Sequence, residues 1–268
     1  MTQDASLSEP GTWDELLGLR GKKALVLGGG QGMGEGIAQL LARAGARVAL
    51  VDREVERAAA VAARLRHSAG RLVALRADVC NDAELVEVIS EADKQLQGID
   101  ILVAIVGMAT FKPSLELSMA EWDLDQQRCL RYVFLASQSV ARLIGARQGS
   151  GAIVCISSMS GVRSAVGHVA YGSAKAALLN LVRTLAVEWA PYRIRVNAVT
   201  PGSISTPNFP DSPQVRDIMS NSLVPMRRNG TIDEVCRPIL FLCSEMSAYV
   251  TGHNLLVDGG WNAANLFR

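Results

Sequence analysis

The chain has 268 residues, which suits one large α/β domain or two small ones and is long enough to bury a substantial core. Hydrophobic residues make up 49% and charged residues 20%, the balance of a compact globular protein. With 27 basic against 26 acidic residues the formal charge is +1, and no basic block stands out, which argues against a nucleic-acid partner.

The first residues, MTQDASLSEPGTWDELLGLRGKK, are polar and contain no apolar segment of the signal-peptide kind. No apolar run approaches the ~18 residues of a membrane span, so no membrane partner is expected. The cysteines (Cys80, Cys129, Cys155, Cys236, Cys243) are scattered and form no CxxC, which fits a reduced, cytoplasmic setting without structural zinc. Residues 1–18 read as an N-terminal extension ahead of a single domain over 19–268. In it Trp13, Leu16 and Leu17 form either a short docked helix or part of a loosely ordered tail.

From there short apolar runs alternate with longer helical patterns. KALVL (23–27) leads through a glycine-rich turn to a helix over 32–44. RVALV (47–51) precedes a helix over 54–68, LVALR (72–76) one over 81–96, and ILVAI (101–105) a helical stretch near 118–147. GAIVCI (151–156) leads to the helix 170–189, IRVNAV (194–199) runs into Thr200-Pro201-Gly202, and LLVD (255–258) is a last short strand. Repeated βα units with nearly all-apolar strands imply a parallel sheet covered on both faces. Residues 200–230, with Pro201, Pro207, Pro210, Pro213 and Pro225, break the rhythm after a strand's carboxyl end. Ligands bind at that edge of such sheets, which makes this stretch a candidate substrate lid.

Gly28, Gly32 and Gly34 form GxxxGxG between the first strand and its helix, with Gln31 and Met33 between the glycines. Absent side chains permit a tight turn and the close approach of a pyrophosphate to free N–H groups at a helix start. Asp52 ends the second strand, where a carboxylate accepts both adenosine ribose hydroxyls and repels a 2′-phosphate. The non-basic Gln31 points the same way, toward NAD; Arg53 dissents, because an arginine there can hold that phosphate. Asp78 and Val79 close the third strand and are placed to flank the adenine, with a simple helix cap as the competing role for Asp78.

The helix AYGSAKAALLNLVRTLAVEW places Tyr171 and Lys175 one turn apart on one face. An ammonium at ~4 Å in an effective dielectric of ~20 contributes roughly 4 kcal/mol before desolvation. That pull brings a phenol of pKa ~10 down toward acid/base chemistry near neutrality. Spacing alone favours a surface pair on an amphipathic helix. Ser158, at the end of the fifth strand, adds a hydroxyl able to hold a substrate oxygen.

Taken in order, the glycine turn, the acidic strand end, Ser158, YGSAK (171–175), RVNAVTPGSIST (195–206), PMRRNGTIDEV (225–235) and VTGHNLLVDGG (250–260) make the chain resemble a classical short-chain dehydrogenase/reductase from about Gly21 to Gly260. The resemblance implies a single-domain, Rossmann-type, doubly wound parallel α/β sheet of about seven strands. It implies Tyr171 as general acid/base, Lys175 as the ligand of the nicotinamide ribose that lowers the tyrosine pKa, and Ser158 as the substrate-orienting hydroxyl. Gly107, Pro201, Gly202, Ile204 and Thr206 fall where the family meets the cofactor, the last two at the nicotinamide carboxamide. Homodimers or homotetramers through the two long helices and the last strand are also implied, with Ala176, Ala177, Leu181 and Ala186 either at that close helix contact or in the core.

Three departures matter. Leu27 replaces the family's usual threonine, and AIVG (104–107) replaces Asn-Asn-Ala-Gly. Both sides of that contact become apolar together, which reads as repacking around Leu27, Ala104 and Ile105. Cys129 stands where an asparagine usually supports a helix irregularity and a proton relay. Its backbone carbonyl survives the exchange, its side-chain support does not, and a buried thiol there is more often inert than nucleophilic. His168, just before Tyr171, either faces the substrate or is a loop residue without chemistry. His67 and His253 share no metal-ligand spacing with it, so no metal is expected.

The leading expectation is an oxidoreductase using NAD on a small-molecule secondary alcohol or ketone. An NADPH-using 3-oxoacyl-thioester reductase and a catalytically weak dinucleotide-binding sensor or scaffold are the alternatives. Phe111, Met159, Val162, Phe209, Ile218, Met219 and Leu223 hint at a hydrophobic substrate, although core packing explains several of them equally well.

Overall fold

The computed structural model describes residues 11–66, 71–207 and 224–264. Seven parallel strands form one sheet in the order β3-β2-β1-β4-β5-β6-β7. They are β1 (Lys23–Leu27), β2 (Arg47–Asp52), β3 (Leu72–Arg76), β4 (Ile101–Ala104), β5 (Gly151–Ile156), β6 (Ile194–Pro201) and β7 (Asn254–Val257). The four central strands β1, β4, β5 and β6 are buried along almost their whole length, which is why their sequences run apolar without alternation.

Helices cover both faces. One core layer joins the sheet to α4 (Asp82–Leu96), α6 (Tyr132–Ala146) and α7 (Val169–Trp189). The other joins it to α2 (Gly32–Arg43), α3 (Val55–Arg64) and α8 (Ile232–Cys243). The order of strands reverses between β1 and β4, so the chain leaves these two neighbours toward opposite faces. A crevice opens at their carboxyl ends, as in other doubly wound sheets.

The expected strands agree with the observed ones within two residues at each end. The helix expected near 118–147 is interrupted. It consists of α5 (Met119–Gln126), a π-helical turn Gln127–Arg131 and α6, with the Tyr132 N–H donating to the Gln127 carbonyl five residues back. α8 was not anticipated, although Thr231 and Glu234 form a capping box at its start. Residues 13–17 form α1 (Trp13–Leu17), closed by a Thr12–Glu15 capping box and by left-handed Gly18. Leu17 packs on the core while Trp13 stays exposed. Of the irregular stretch 200–230, residues 208–223 lie outside the described residues, and with them Pro210, Pro213, Phe209, Ile218, Met219 and Leu223.

The apolar substitution at the switch point is a packed contact. Leu27 pairs in register with Ala104, both are buried, and the Ile105 N–H donates to the Leu27 carbonyl at 3.1 Å. Leu27→Thr places a hydroxyl in that layer and removes methyl groups. A loss of about 2–3 kcal/mol in urea unfolding is expected. A change within about 0.5 kcal/mol, the range of an indifferent site, contradicts the repacking.

Candidate active site

The glycine turn opens α2 at the carboxyl end of β1. A Cβ on Gly34 would overlap the Gly28 carbonyl oxygen, so glycine is required for helix and strand to approach. Gly32 has φ +58° and open space where a Cβ would project. Gln31 is the N-cap residue but makes no side-chain cap bond, and Met33 packs on the core beside α8. The result is a 12-residue helix that starts directly from the glycine turn, a fit for a dinucleotide pyrophosphate.

Asp52 closes β2 beside this turn. One carboxylate oxygen accepts from the Gly30 N–H at 3.1 Å and the other from the Glu54 N–H at 3.0 Å, which fixes the group at the mouth of the crevice. Arg53 is exposed. At the end of β3 the Asp78 side chain accepts from the Cys80 N–H at 2.9 Å, a local turn. The cap of α4 is Asn81 instead, which accepts from the Ala83 and Glu84 N–H groups. Val79 is buried in the core layer.

Beyond β6, Pro201 and Gly202 continue along the same edge. A Cβ on Gly202 would lie 2.8 Å from the Asp258 Cα. Ile204 is buried and forms a bridge with Gly230, and Thr206 follows it, half-buried.

Ser158, Tyr171 and Lys175 meet between β5 and α7. Ser158 caps a short 3-10 turn (Met159–Gly161), and its hydroxyl stands close enough to the Tyr171 phenol to favour the phenolate. Lys175 is only 1% exposed. Its Nζ donates to the Ile156 carbonyl at 2.7 Å and faces the Tyr171 ring, 5.8 Å from the centroid. Gly107 makes room for it, since a Cβ there would sit 2.9 Å from Nζ. Burial lowers the Lys175 pKa.

The phenol does not behave as the spacing led one to expect. Burial pushes Tyr171 up to about 12, and the Ser158 hydroxyl only partly opposes this. The ammonium is committed to the Ile156 carbonyl and faces the ring. In the protein alone, burial therefore dominates the phenol.

Cys129 is buried in the π-helical turn, with Sγ 3.6 Å from the Met108 carbonyl. Burial raises its pKa, so it stays a thiol. The turn is tied down by its neighbours. Asp125, fully buried, accepts from the Thr110 N–H and hydroxyl (2.9 Å to the latter) and from Arg128 at 2.6 Å. Arg128 also donates to Thr110 at 3.0 Å. Gln126 reaches the Ala170 carbonyl at 3.2 Å, Gln127 the Cys80 carbonyl, and buried Tyr132 the Val106 carbonyl at 2.7 Å. Sequence reasoning passed over Asp125, Arg128 and Tyr132. The only available signal was an acid and a base three residues apart beside Cys129.

His168 precedes α7. Its Nδ1 lies 2.8 Å from the Ser160 hydroxyl, and its ring stands edge-on to Phe111 and to Tyr171. Met159 is buried, while Phe111 and Val162 are exposed at the rim. Among the described residues no group of three or more His, Cys, Asp or Glu could hold a metal ion, and no helix is long and apolar enough to cross a membrane.

Known proteins resemble the chain over nearly its whole length. A family model described as Enoyl-(Acyl carrier protein) reductase matches residues 28–262. An NAD-dependent glycerol dehydrogenase of Listeria innocua is 35% identical over 93% of this chain and 97% of its own. A 3-oxoacyl-(acyl-carrier-protein) reductase of Aquifex aeolicus is 35% identical over 90% of this chain and 98% of its own. The structure of a 7α-hydroxysteroid dehydrogenase complexed with NADH and 7-oxo glycochenodeoxycholic acid superposes with a TM-score of 0.87 at 33% identity, covering 92% of this chain and 96% of that one. With its switch-point crevice, glycine cradle and Ser158–Tyr171–Lys175 group, the chain belongs to the short-chain dehydrogenase/reductase family, oxidoreductases that bind a nicotinamide dinucleotide.

Proposed function

We propose that the protein interconverts a secondary alcohol and a ketone using NAD. The observation that carries the reading is the convergence of Ser158, Tyr171 and buried Lys175 on one crevice whose other end is closed by Asp52. Gly28, Gly32 and Gly34 would cradle the pyrophosphate and Asp52 the adenosine ribose. Asp78 and Val79 would border the adenine. Lys175 and Gly107 would border the nicotinamide ribose, and Pro201, Gly202, Ile204 and Thr206 the carboxamide. Bound there, the cofactor supplies hydride exchange and, when oxidised, a positive charge.

In the oxidation direction Ser158 hydrogen-bonds the substrate oxygen and Tyr171, as phenolate, takes its proton while the carbinol carbon gives up hydride. The phenol then returns its proton to solvent. In reduction the phenol donates to the forming alkoxide. A phenol at about 12 is almost wholly protonated at neutral pH, so the positive charges of Lys175 and the oxidised cofactor must together bring it down for the phenolate to be populated. Cys129 contributes its backbone carbonyl to the proton path.

The 3-oxoacyl-(acyl-carrier-protein) reductase relative keeps an NADPH-using thioester reductase in view. Asp52 disfavours it, because its anchored carboxylate meets a 2′-phosphate with like charge. A secondary expectation is a homodimer or homotetramer. Ala176 and Ala177 lie exposed on α7, and Phe134 is exposed on α6 beside a groove that reaches Trp189. Ala186, expected at that contact, belongs to the core instead.

Tyr171→Phe should lower turnover by about a hundredfold or more while leaving NAD affinity nearly unchanged, because the hydroxyl acts chiefly in the transition state. Parent-like turnover contradicts the mechanism and favours the sensor reading. NAD should bind more tightly than NADP. Asp52→Asn keeps an acceptor for the turn but removes the charge, and should narrow that gap roughly tenfold. Tighter binding of NADP to the unmodified protein rejects the cofactor assignment and points to Arg53. Light scattering at micromolar concentration should give a dimer or tetramer, and a monomer rejects the assembly.

A further inference from the structure

His168 is held in place more firmly than a loop residue requires. Ser160 engages its Nδ1 at 2.8 Å. Phe111 and Tyr171 flank the ring edge-on, with centroids 5.3 and 5.5 Å away. Phe111 can approach because Gly167, at φ +78°, has no Cβ; one there would lie 3.0 Å from the Phe111 ring. The Lys112 N–H closes the contact on the Gly167 carbonyl at 3.0 Å. None of this serves helix capping: His168 is the N-cap residue of α7, yet its side chain makes no cap bond. Its Nε2 makes no hydrogen bond among the described residues.

The ring is thus preorganised with one polar atom unspent, next to the phenol that handles the reacting oxygen. Burial lowers the His168 pKa, which favours the neutral imidazole; either tautomer of that form can hydrogen-bond a hydroxyl, itself both donor and acceptor. We infer that His168 Nε2 binds a second oxygen of the substrate, on the carbon adjacent to the reacting carbinol, and that the protein selects vicinal diols and α-hydroxy ketones over simple secondary alcohols. The His168 and Tyr171 ring centroids lie 5.5 Å apart, close enough for one small substrate to touch both rings. This inference rests on the alcohol–ketone reading above.

The test compares matched pairs, cyclopentanol with cis- and trans-1,2-cyclopentanediol and 2-propanol with 1,2-propanediol, using both NAD and NADP. In the unmodified protein kcat/KM for the better diol isomer should exceed that for its partner by about tenfold, the value of one well-placed hydrogen bond. His168→Phe keeps a ring against Phe111 and Tyr171 but removes both nitrogens, and the diol preference should fall toward one. His168→Gln, whose terminal amide reaches the Nε2 position, should restore part of it. His168→Asn, which can replace only the Nδ1 contact with Ser160, should not. The inference is overturned if the unmodified protein shows no diol preference. It is equally overturned if His168→Phe depresses both members of each pair alike, the mark of a structural residue. Turnover of none of these alcohols with either cofactor removes the alcohol–ketone reading itself, and the inference with it.

Discussion

Lys175 carries an ammonium into the protein interior at 1% exposure, and much of the surrounding construction follows from that. An unpaired buried charge costs several kcal/mol, so it must be solvated by the protein. The Ile156 carbonyl at the end of β5 does so at 2.7 Å. Gly107 leaves the space that Nζ needs. The helix that delivers the lysine lies unusually close to the 3-10 turn after β5: a Cβ on Gly161 would sit 2.7 Å from the Lys175 carbonyl carbon. Ser157 fastens the same spot by donating to the Lys175 carbonyl at 3.1 Å. Small residues around the site are therefore conditions for the charge to be there, and the charge in turn fixes where Tyr171 and Ser158 stand.

The segment facing this group is held by side chains on either side of Cys129. Cys129 cannot offer the hydrogen bonds of an asparagine, yet the π-helical turn persists. Asp125 and Arg128 bind the loop after β4, Gln126 binds α7 and Gln127 binds the loop after β3. These tethers come from residues flanking position 129. Buried Asp125 and half-buried Arg128 share Thr110, although the Arg128 Nε stays without a partner among the described residues, and the carboxylate ties down the loop that carries Phe111 to His168. Neighbouring side chains thus hold the turn that carries Cys129.

Much of this was legible in the sequence because the physics is local. Two-sided burial wrote the strands as apolar runs, and the glycine spacing and strand-end Asp52 marked the crevice. The short helix at Trp13 was announced by Thr12 and Glu15, and α8 by Thr231 and Glu234, although Pro238 inside α8 obscured its helical pattern. The π-helical turn left no such mark. No proline or glycine interrupts 119–131, and the irregularity is stabilised by contacts with segments distant in sequence. The same holds for Tyr171. Its spacing from Lys175 was readable, but its pKa depends on how deeply the phenol is buried and on which carbonyl the ammonium chooses.

The central claim is that Lys175 and the cofactor's charge act together to make a buried phenol ionisable. Near-ultraviolet titration tests it directly, with Tyr171→Phe subtracted to isolate the one tyrosine. In the protein alone Tyr171 should ionise at about 12. Saturating oxidised NAD should lower that value by roughly two units in the unmodified protein and by much less in Lys175→Met. A phenol that stays near 12 with NAD bound, or falls equally far without the lysine, would contradict the account.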